Sequence, residues 1–384
     1  MSSRKMKICL IAGEVSGDAL GASLMQDLQQ KFGDVEFCGV GGDAMAEQGL
    51  VSIFPMRDLS VMGVLEVVPR LPLILRRIKQ ATELVRREKP DLLITIDSPD
   101  FCFRVAKALK DQGGDLPKMV HYVAPTVWAW RPERAAKVAS LYDAILCLFP
   151  MEPAYFENEG MKACFIGHPA VAKWQDGHKA HDIRADLKIP QGHKIIGFLP
   201  GSRMSELNRV GPILREALAK YAEEEQRGLN IIALTLPHLS RETRYLLQGF
   251  KARIHIIDDQ KLKWSCFDAM DGAVAASGTV GLELGIADVP HLIGYKVNFL
   301  TYRLVRSKIT TNYAHLVNIL QGKEVVPEFI QENCKAEPIA AAFKQVMQDS
   351  TQQKAAFSQI REMLASDRQN MKAADFIASE VMAA

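Results

Sequence analysis

Residues 7–18 read KICLIAGEVSGD, an apolar run followed directly by a turn of small residues. The near-continuous apolar part, Ile8 to Ala12, is typical of a strand in a parallel sheet that is covered on both faces. The turn lets a ligand approach the backbone closely, and a helix is predicted over 17–31. A strand, a glycine turn and a helix in this order predict a doubly wound α/β fold.

The same pattern recurs in two sets along the chain. In the first set the apolar runs are KICLIAG, EFCGVGG, DLLITID, KMVHYVAP and AILCLFP, and helices are predicted over 17–31, 70–88 and 100–112. In the second set the runs are KIIGFLPGS, NIIALTLP, RIHIIDD, GAVAASGT and HLIGY. Two such sets predict two Rossmann-like βα domains that face a central cleft, with ligands at the carboxyl ends of the strands.

The domain boundary is predicted near His168-Pro169, because the polar segment 170–193 follows the first set. We therefore expect an N-terminal domain over 1–168 and a C-terminal domain over 169–340. The last segment, 341–384, reads as helices that we expect to pack across the domains. At 384 residues the chain exceeds what one hydrophobic core usually supports, which agrees with two domains.

The composition argues against several classes of protein. Lys and Arg number 47 against 45 Asp and Glu, a net charge of +2, so a dedicated nucleic-acid binder is not expected. The seven cysteines lack CxxC spacing, which is typical of a reduced cytosolic protein. The first apolar run is too short for a signal peptide, and no stretch approaches the ~20 apolar residues that span a bilayer. Any membrane contact is therefore expected to be peripheral.

Two segments of the first domain carry side chains suited to a sugar acceptor. The turn GEVSGD opens a helix whose N-terminus favours a polar or anionic ligand, although such turns also serve strand–helix packing alone. The segment HYVAPTVWAWR, at 121–131, combines a guanidinium with aromatic rings that can pack on sugars or simply fill the core. The acceptor-site candidates are Gly13, Glu14, Ser16, Gly17, Asp18, His121, Trp128 and Arg131.

The segment DSPD, at 97–100, follows the buried run LLITI. A carboxylate at the carboxyl end of a buried strand faces the ligand in this architecture, and it can take a proton from a sugar hydroxyl. Asp100 fits the cap of the next helix, which leaves Asp97 as the predicted catalytic base. Asp18 and Glu14 remain rivals for that role.

Two loops of the second domain are predicted to bind a nucleotide diphosphate. LPGSR, at 199–203, brings N–H groups, a hydroxyl and a guanidinium together, without the spacing of a Walker A loop. ASGT, at 276–279, opens a helix, and Glu283 one turn later either binds ribose hydroxyls or caps that helix. No metal or cofactor is expected, since these groups can stabilise a departing diphosphate themselves. The candidates are Gly201, Ser202, Arg203, Ser277, Gly278, Thr279 and Glu283.

The segment 61–77, VMGVLEVVPRLPLILRR, is strongly apolar and ends on basic residues. A buried core segment is one interpretation. The other is an interfacial element, with apolar side chains in the acyl region of a membrane and basic ones at the headgroups. The predicted membrane-facing residues are Val64, Leu65, Val67, Val68, Leu71, Leu73, Ile74 and Leu75, with Met204 from the second domain.

Several motifs together resemble the lipid-A-disaccharide synthases, which are inverting glycosyltransferases of the GT-B fold. The motifs are AGEVSGD, VMGVLEV, IDSPDF, HYVAPTVWAWR, FIGHP, LPGSR, ASGT with GLELG, and NILQGKEVVPEFIQ, and they cover nearly the whole chain. The resemblance implies UDP-2,3-diacylglucosamine as donor and 2,3-diacylglucosamine 1-phosphate (lipid X) as acceptor. The implied products are a β-1,6-linked disaccharide 1-phosphate and UDP.

The resemblance also implies roles for single residues. Asp97 is the implied base for the acceptor 6-hydroxyl, and Arg203 is the implied ligand of the diphosphate. Asn318 falls at a family position near the nucleotide sugar, although His315-Leu316-Val317 precedes it where the family pattern has a proline. A cytoplasmic location, peripheral on the inner face of the inner membrane of a Gram-negative bacterium, is implied as well.

Two other functions are compatible with the same coarse fold. One is another GT-B UDP-sugar enzyme, such as an N-acetylglucosaminyltransferase or a UDP-sugar 2-epimerase. The other is a nucleotide-sugar-binding protein without catalysis. The apolar segment 61–75 favours an acylated substrate, because a soluble nucleotide sugar needs no membrane contact. Asp97 beside two anion sites favours catalysis.

Overall fold

The computed structural model of the chain describes residues 5–59, 64–225, 228–296, 311–365 and 372–383, the side chains of 64–69 excepted. The chain divides into two compact units. The first unit comprises Met1–Pro169 with Ser366–Ala384, and the second comprises Ala170–Ala365. The helices that the sequence predicts after residue 341 are therefore divided between the units, with those up to Ala365 in the second.

The first unit is built on a six-stranded parallel sheet. Its strands are β1 Met6–Ala12, β2 Val35–Val40, β3 Leu92–Ile96, β4 Lys118–Tyr122, β5 Ala144–Cys147 and β6 Lys162–Phe165. Their order across the sheet is β2-β1-β3-β4-β5-β6. The order reverses between β1 and β3, so the loops after these two strands flank the switch point, where doubly wound sheets bind ligands.

Helices connect these strands. They are α1 Val15–Phe32, α2 Asp43–Glu47, α3 Val64–Glu88, α4 Pro99–Gln112, α5 Arg134–Ala139 and α6 Pro153–Glu157. α1 follows β1 and α4 follows β3 after very short turns, so both helices begin at the switch point. The apolar faces of α3 and α4 pack with the strands into a core, in which Ile11, Val105 and Met119 are almost fully buried.

The second unit repeats the architecture with a different strand order. Its strands are β7 Lys194–Leu199, β8 Leu229–Leu234, β9 Arg253–Ile257, β10 Gly272–Ala276, β11 His291–Tyr295 and β12 Glu328–Ile330. The order is β12-β11-β10-β7-β8-β9. This is the strand order of the dinucleotide-binding Rossmann fold, and its switch point lies between β7 and β10.

The helices of the second half of the chain follow in the same alternation. They are α7 Pro169–Gly177, α8 Ile183–Asp186, α9 Met204–Arg209, α10 Gly211–Glu224, α11 Ser240–Leu246, α12 Lys263–Ala269, α13 Thr279–Ile286, α14 Leu316–Gln321, α15 Ala336–Gln348, α16 Thr351–Leu364 and α17 Ala373–Phe376. α17 continues into a π-helix, Ile377–Met382, and belongs to the first unit, where Asp375 pairs with Lys31 of α1 at 2.7 Å.

The predicted α/β class with two Rossmann-like parallel sheets is confirmed. The edge strands β6 and β12 were not predicted, because each is short and only partly buried. The helix predicted over 70–88 begins earlier, at Val64. The polar segment 170–193 contains most of α7 and all of α8.

Candidate active site

A pocket of about 390 Å³ lies at the switch point of the second unit. Its walls come from the loops after β7, β8 and β10 and from the first turns of α12 and α13. The predicted nucleotide residues that line it are Gly201, Ser202, Arg203, Ser277, Gly278, Thr279 and Glu283. The fold therefore brings two loops that are about 75 residues apart in the sequence to one site.

The LPGSR loop is organised by Glu206, a residue outside the predicted site. The Ser202 N–H donates to Glu206 Oε2 at 2.9 Å, and Arg203 Nη1 donates to Glu206 Oε1 at 2.8 Å. Gly201 has a φ of 116°, which favours glycine. The loop donors thus converge on one carboxylate, so their geometry suits an anion. A glutamate at the third position of a helix is the signal that would have identified it.

Glu283 does not stand alone in the pocket. Its Oε1 lies 2.7 Å from Lys263 Nζ, and the two side chains are only 18% and 25% exposed. Lys263, at the start of α12, was missed because it lies in a different sequence segment from either predicted loop. Together with Arg203 it gives the pocket two cations suited to a diphosphate.

Asn318 lies in the second unit, apart from the other predicted nucleotide residues. It is fully buried and does not line the described pocket. Its Oδ1 accepts the N–H groups of Val325 and Val326 at 2.8 and 2.9 Å, and its Nδ2 donates to Val326 O and Glu328 Oε1, both at 2.7 Å. The side chain therefore holds the turn before β12, and a contact with the nucleotide sugar stays a prediction.

Asp97 lies directly after β3, at the switch point of the first unit. Both Asp97 and Ser98 have positive φ, 52° and 44°, which is unfavourable for residues other than glycine. The Asp97 N–H donates to Tyr122 O at 2.9 Å, which holds the turn in place. Burial raises the pKa of the Asp97 carboxyl, an effect opposed by the Ser98 backbone N–H. A strained turn that holds a half-buried carboxylate is typical of a functional site.

The predicted cap of α4 is wrong. Ser98, not Asp100, occupies the N-cap position, and its side chain makes no capping hydrogen bond. Asp100 is exposed in the first turn of α4, where its negative charge interacts favourably with the helix dipole. It does not cap the helix with a hydrogen bond.

A pocket of about 310 Å³ adjoins this turn. Its polar side is formed by Glu14, Ser98 and Asp100, and its apolar side includes Leu71 and Ile74. Gly13 allows the loop after β1 to lie close to Ser98, because a Cβ at this position would overlap the Ser98 side chain. Glu14 therefore remains an alternative base to Asp97, and the pocket combines acid–base groups with apolar surface.

Asp18 has a structural position. It is 5% exposed, and its carboxylate accepts the N–H groups of Gly42, Ala44 and Met45 at 2.7, 3.0 and 3.1 Å. These are the free donors at the start of α2. The carboxylate thus joins α1 to the loop after β2, which weakens its candidacy as a base or as a sugar ligand.

His121 is buried in the core instead of being presented to a ligand. It is fully buried, its Nδ1 lies 2.8 Å from Thr95 Oγ1, and Phe103 packs edge-on against its ring. Burial lowers its pKa to about 3, so the ring is neutral at physiological pH.

Trp128 is also largely buried, and its Nε1 donates to Glu152 Oε1 at 3.0 Å. Glu152 further accepts the N–H groups of Leu148 and Phe149, and burial raises its pKa to about 7. No sequence pattern singles out this glutamate, since it lies between apolar residues in a short turn. The core-filling alternative is thus the better description of Trp128.

The other acceptor candidates differ in exposure. Ser16 is exposed in the first turn of α1, and Gly17 packs against the end of β3. Arg131 has a φ of 57° and stacks on Trp130, with its guanidinium carbon 4.3 Å from the ring centroid. Such a fixed guanidinium is suited to an anionic or hydroxylated ligand.

The apolar segment is part of α3. Leu71 and Leu75, one helical turn apart, are 40% and 51% exposed, whereas Ile74 packs on the core and Leu73 is partly buried. Met204, in the second unit, is 41% exposed. The side chains of Val64, Leu65, Val67 and Val68 lie outside the described residues. No described helix is long and apolar enough to cross a membrane.

Comparison with known proteins identifies the family. Residues 8–382 match the family model described as lipid-A-disaccharide synthetase. The lipid-A-disaccharide synthases of Rhodospirillum centenum and Ruegeria pomeroyi are 41% and 40% identical to the chain, over 90% and 94% of it and 86% and 92% of their own lengths. The chain belongs to the lipid-A-disaccharide synthase family. It is therefore a glycosyltransferase of lipid A biosynthesis, as its motifs predict.

Solved structures agree on the fold of the chain. UDP-GlcNAc 2-epimerase from Neisseria meningitidis, bound to UDP-GlcNAc, aligns with a TM-score of 0.66 at 13% identity, over 98% of this chain and all of that one. MurG of Acinetobacter baumannii aligns with a TM-score of 0.52 at 14% identity, over 94% and 99%. At such identities the likeness concerns the fold alone, which is GT-B.

Proposed function

We propose that this enzyme transfers the 2,3-diacylglucosaminyl group of UDP-2,3-diacylglucosamine to the 6-hydroxyl of 2,3-diacylglucosamine 1-phosphate, with inversion. The products are the β-1,6-linked disaccharide 1-phosphate and UDP. The observation that carries the proposal is Asp97, a half-buried carboxylate in a strained turn at the switch point of the first unit. A protein that only binds nucleotide sugars has no use for such a group.

The pocket of the second unit supports the nucleotide assignment. The Ser202 N–H, the Arg203 guanidinium and the start of α13 offer donors to the diphosphate, and Lys263 adds a second cation. Glu283 is left to accept from the ribose hydroxyls. As the anomeric C–O bond breaks, these cations and N–H groups stabilise the charge that develops on UDP, without a metal ion.

Asp97 supports the other half of the reaction. The acceptor 6-oxygen attacks the anomeric carbon from the face opposite UDP, and its proton passes to the Asp97 carboxylate. A carboxyl whose pKa is raised by burial is a stronger base than an ordinary aspartate once it is ionised. The apolar wall of the adjoining pocket, with Leu71 and Ile74, suits an acylated acceptor.

Reaction products test the proposal against its alternatives. Incubation with UDP-2,3-diacylglucosamine and lipid X should release UDP and yield one disaccharide 1-phosphate in equal amounts. Epimerised UDP-GlcNAc in the absence of an acceptor would instead indicate a 2-epimerase. Binding of UDP without any turnover of either substrate pair would indicate a protein without catalysis.

Arg203→Ala is expected to weaken UDP binding by about 10- to 100-fold, since a hydrogen bond to a charged group contributes about 1.5–3 kcal/mol. Turnover at low donor concentration should fall together with the UDP affinity. Isothermal titration with UDP measures the affinity directly. Arg209→Ala, at the exposed end of the same helix and outside the pocket lining, is the matched control. Unchanged UDP affinity in a folded Arg203→Ala protein would move the diphosphate elsewhere.

Leu71 and Leu75 support peripheral binding to a membrane surface, with Arg70, Arg76 and Lys79 exposed nearby. Changing both leucines to Ser should reduce sedimentation with phospholipid vesicles severalfold. Their exposure implies a loss of stability much smaller than the roughly 2–5 kcal/mol of a buried large-to-small change. Val51→Ser, 81% exposed in the same unit, is the control. Undiminished vesicle binding by a folded double variant would remove these residues from the membrane face.

A further inference from the structure

The first unit has a small pocket rich in positive charge beside the catalytic turn. It measures about 140 Å³ and lies between α4 and α5. Arg104 and Lys107 of α4 and Arg134 and Lys137 of α5 line it, and Asp100 is the one carboxylate in the lining. We call the pocket that these four cations line the basic pocket. Such a concentration of charge stands out in a chain whose net charge is only +2.

Most of this charge is available to a ligand. Within the described ranges, Lys107 pairs with Asp111, but Arg104, Arg134 and Lys137 form no ion pair. The Arg134 guanidinium carbon lies 5.5 Å from the Trp130 ring centroid, which restricts the positions of this side chain without neutralising it. Two guanidinium groups and two ammonium groups around one small concavity suit a phosphate monoester, which carries close to two negative charges.

The basic pocket adjoins the pocket beside Asp97. The two share Pro99, Asp100 and Arg104, so they form one continuous surface along the start of α4. Arg104 follows Pro99 by five residues, about 8 Å along the helix axis. This span is comparable to that of a hexose ring with a phosphate on one side and a free hydroxymethyl group on the other.

We propose that the basic pocket binds the phosphate monoester of the lipid acceptor. The inference rests on the proposed function, in which the acceptor is a sugar 1-phosphate. Phosphate held by Arg104 and Arg134 directs the opposite end of the sugar, with its 6-hydroxyl, toward Asp97. The acyl chains then lie toward Leu71 and Ile74. The pocket thereby selects an anomeric phosphate and fixes which hydroxyl is presented to the base.

Kinetics with two acceptors test this assignment. The double variant Arg104→Gln/Arg134→Gln should raise KM for lipid X by about tenfold or more, as expected for losing two charge-assisted contacts, with kcat little changed. The same variant should use 2,3-diacylglucosamine without its phosphate as well as the wild-type enzyme does. Arg87→Gln/Lys110→Gln, which removes two exposed charges of this unit outside the pocket, should behave as wild type with both acceptors.

Binding experiments separate this proposal from the proposed function and from a membrane role. Equilibrium binding of lipid X without donor should weaken in the double variant even if no transfer can be detected, whereas absent transfer in the wild type would overturn the proposed function itself. An unchanged KM for lipid X would overturn the phosphate assignment, as would an equal rise for both acceptors. Loss of sedimentation with phosphatidylglycerol vesicles alone, with KM in detergent unchanged, would make the pocket a headgroup site instead.

Discussion

Replacing Asp97 with asparagine is expected to lower kcat by about 10²–10⁴-fold, the usual effect of removing a general base. Asparagine keeps the size of the side chain and removes only its ability to take a proton. Affinity for UDP should persist, because the proposed nucleotide pocket is lined by residues of the second unit. Single-turnover rates and UDP titrations on the same preparation measure the two effects separately.

The pH profile gives the Asp97 prediction a second test. A base must be ionised to accept a proton, and burial raises the pKa of Asp97 above its ordinary value. The kcat/KM of the wild-type enzyme should therefore fall as the pH drops through that raised pKa. The residual activity of Asp97→Asn should lack this acid limb.

Glu14→Gln is the matched control for Asp97→Asn, since Glu14 lines the neighbouring pocket and is the remaining rival. Only a modest loss of kcat is expected for Glu14→Gln, because this change weakens a contact in the pocket and retains the base. Near-normal kcat in a folded Asp97→Asn enzyme, with a large loss in Glu14→Gln, would transfer the role of base to Glu14.

Asn318→Ala is expected to lower the free energy of unfolding of the second unit by roughly 2–5 kcal/mol. The change leaves the N–H groups of Val325 and Val326 without their acceptor, and each unsatisfied buried group costs about 1–3 kcal/mol. Glu328 and the carbonyl of Val326 lose a donor at the same time. Urea unfolding followed by circular dichroism measures the loss.

Asn333→Ala, an exposed asparagine shortly after β12, is the control for Asn318→Ala and should stay within about 0.5 kcal/mol of wild type. UDP affinity decides between the two roles of Asn318. Full stability with lost nucleotide binding would make this residue a ligand, as the family resemblance implies, and would contradict the packing role.

Local sequence patterns predict the central sheet strands and the chemistry of their loops. β1 and β3 are short apolar runs because helices cover both faces of their sheet, and such runs are recognisable one strand at a time. The turns after β1 and β3 in the first unit, and after β7 and β10 in the second, carry the small or charged residues of each unit's candidate site. The reason is topological, since ligands bind at the switch points of such sheets.

Contacts between distant segments are not predictable in the same way. Lys263 reaches Glu283 from another helix, and Asp18 binds the start of α2, more than twenty residues away. His121 and Trp128 lie in a segment rich in polar and aromatic residues, but burial, which depends on the packing of several elements, gives both a place in the core. Their side-chain types alone do not distinguish a ligand from a packed residue.

The configuration of the new glycosidic bond tests the central claim most directly. In the proposed reaction Asp97 takes the proton of the attacking 6-hydroxyl as UDP leaves from the opposite face, so the anomeric centre inverts. Proton NMR of the disaccharide made from α-linked UDP-2,3-diacylglucosamine and lipid X should show a β-1,6 linkage. An α linkage, or a product joined at another hydroxyl, would contradict the account.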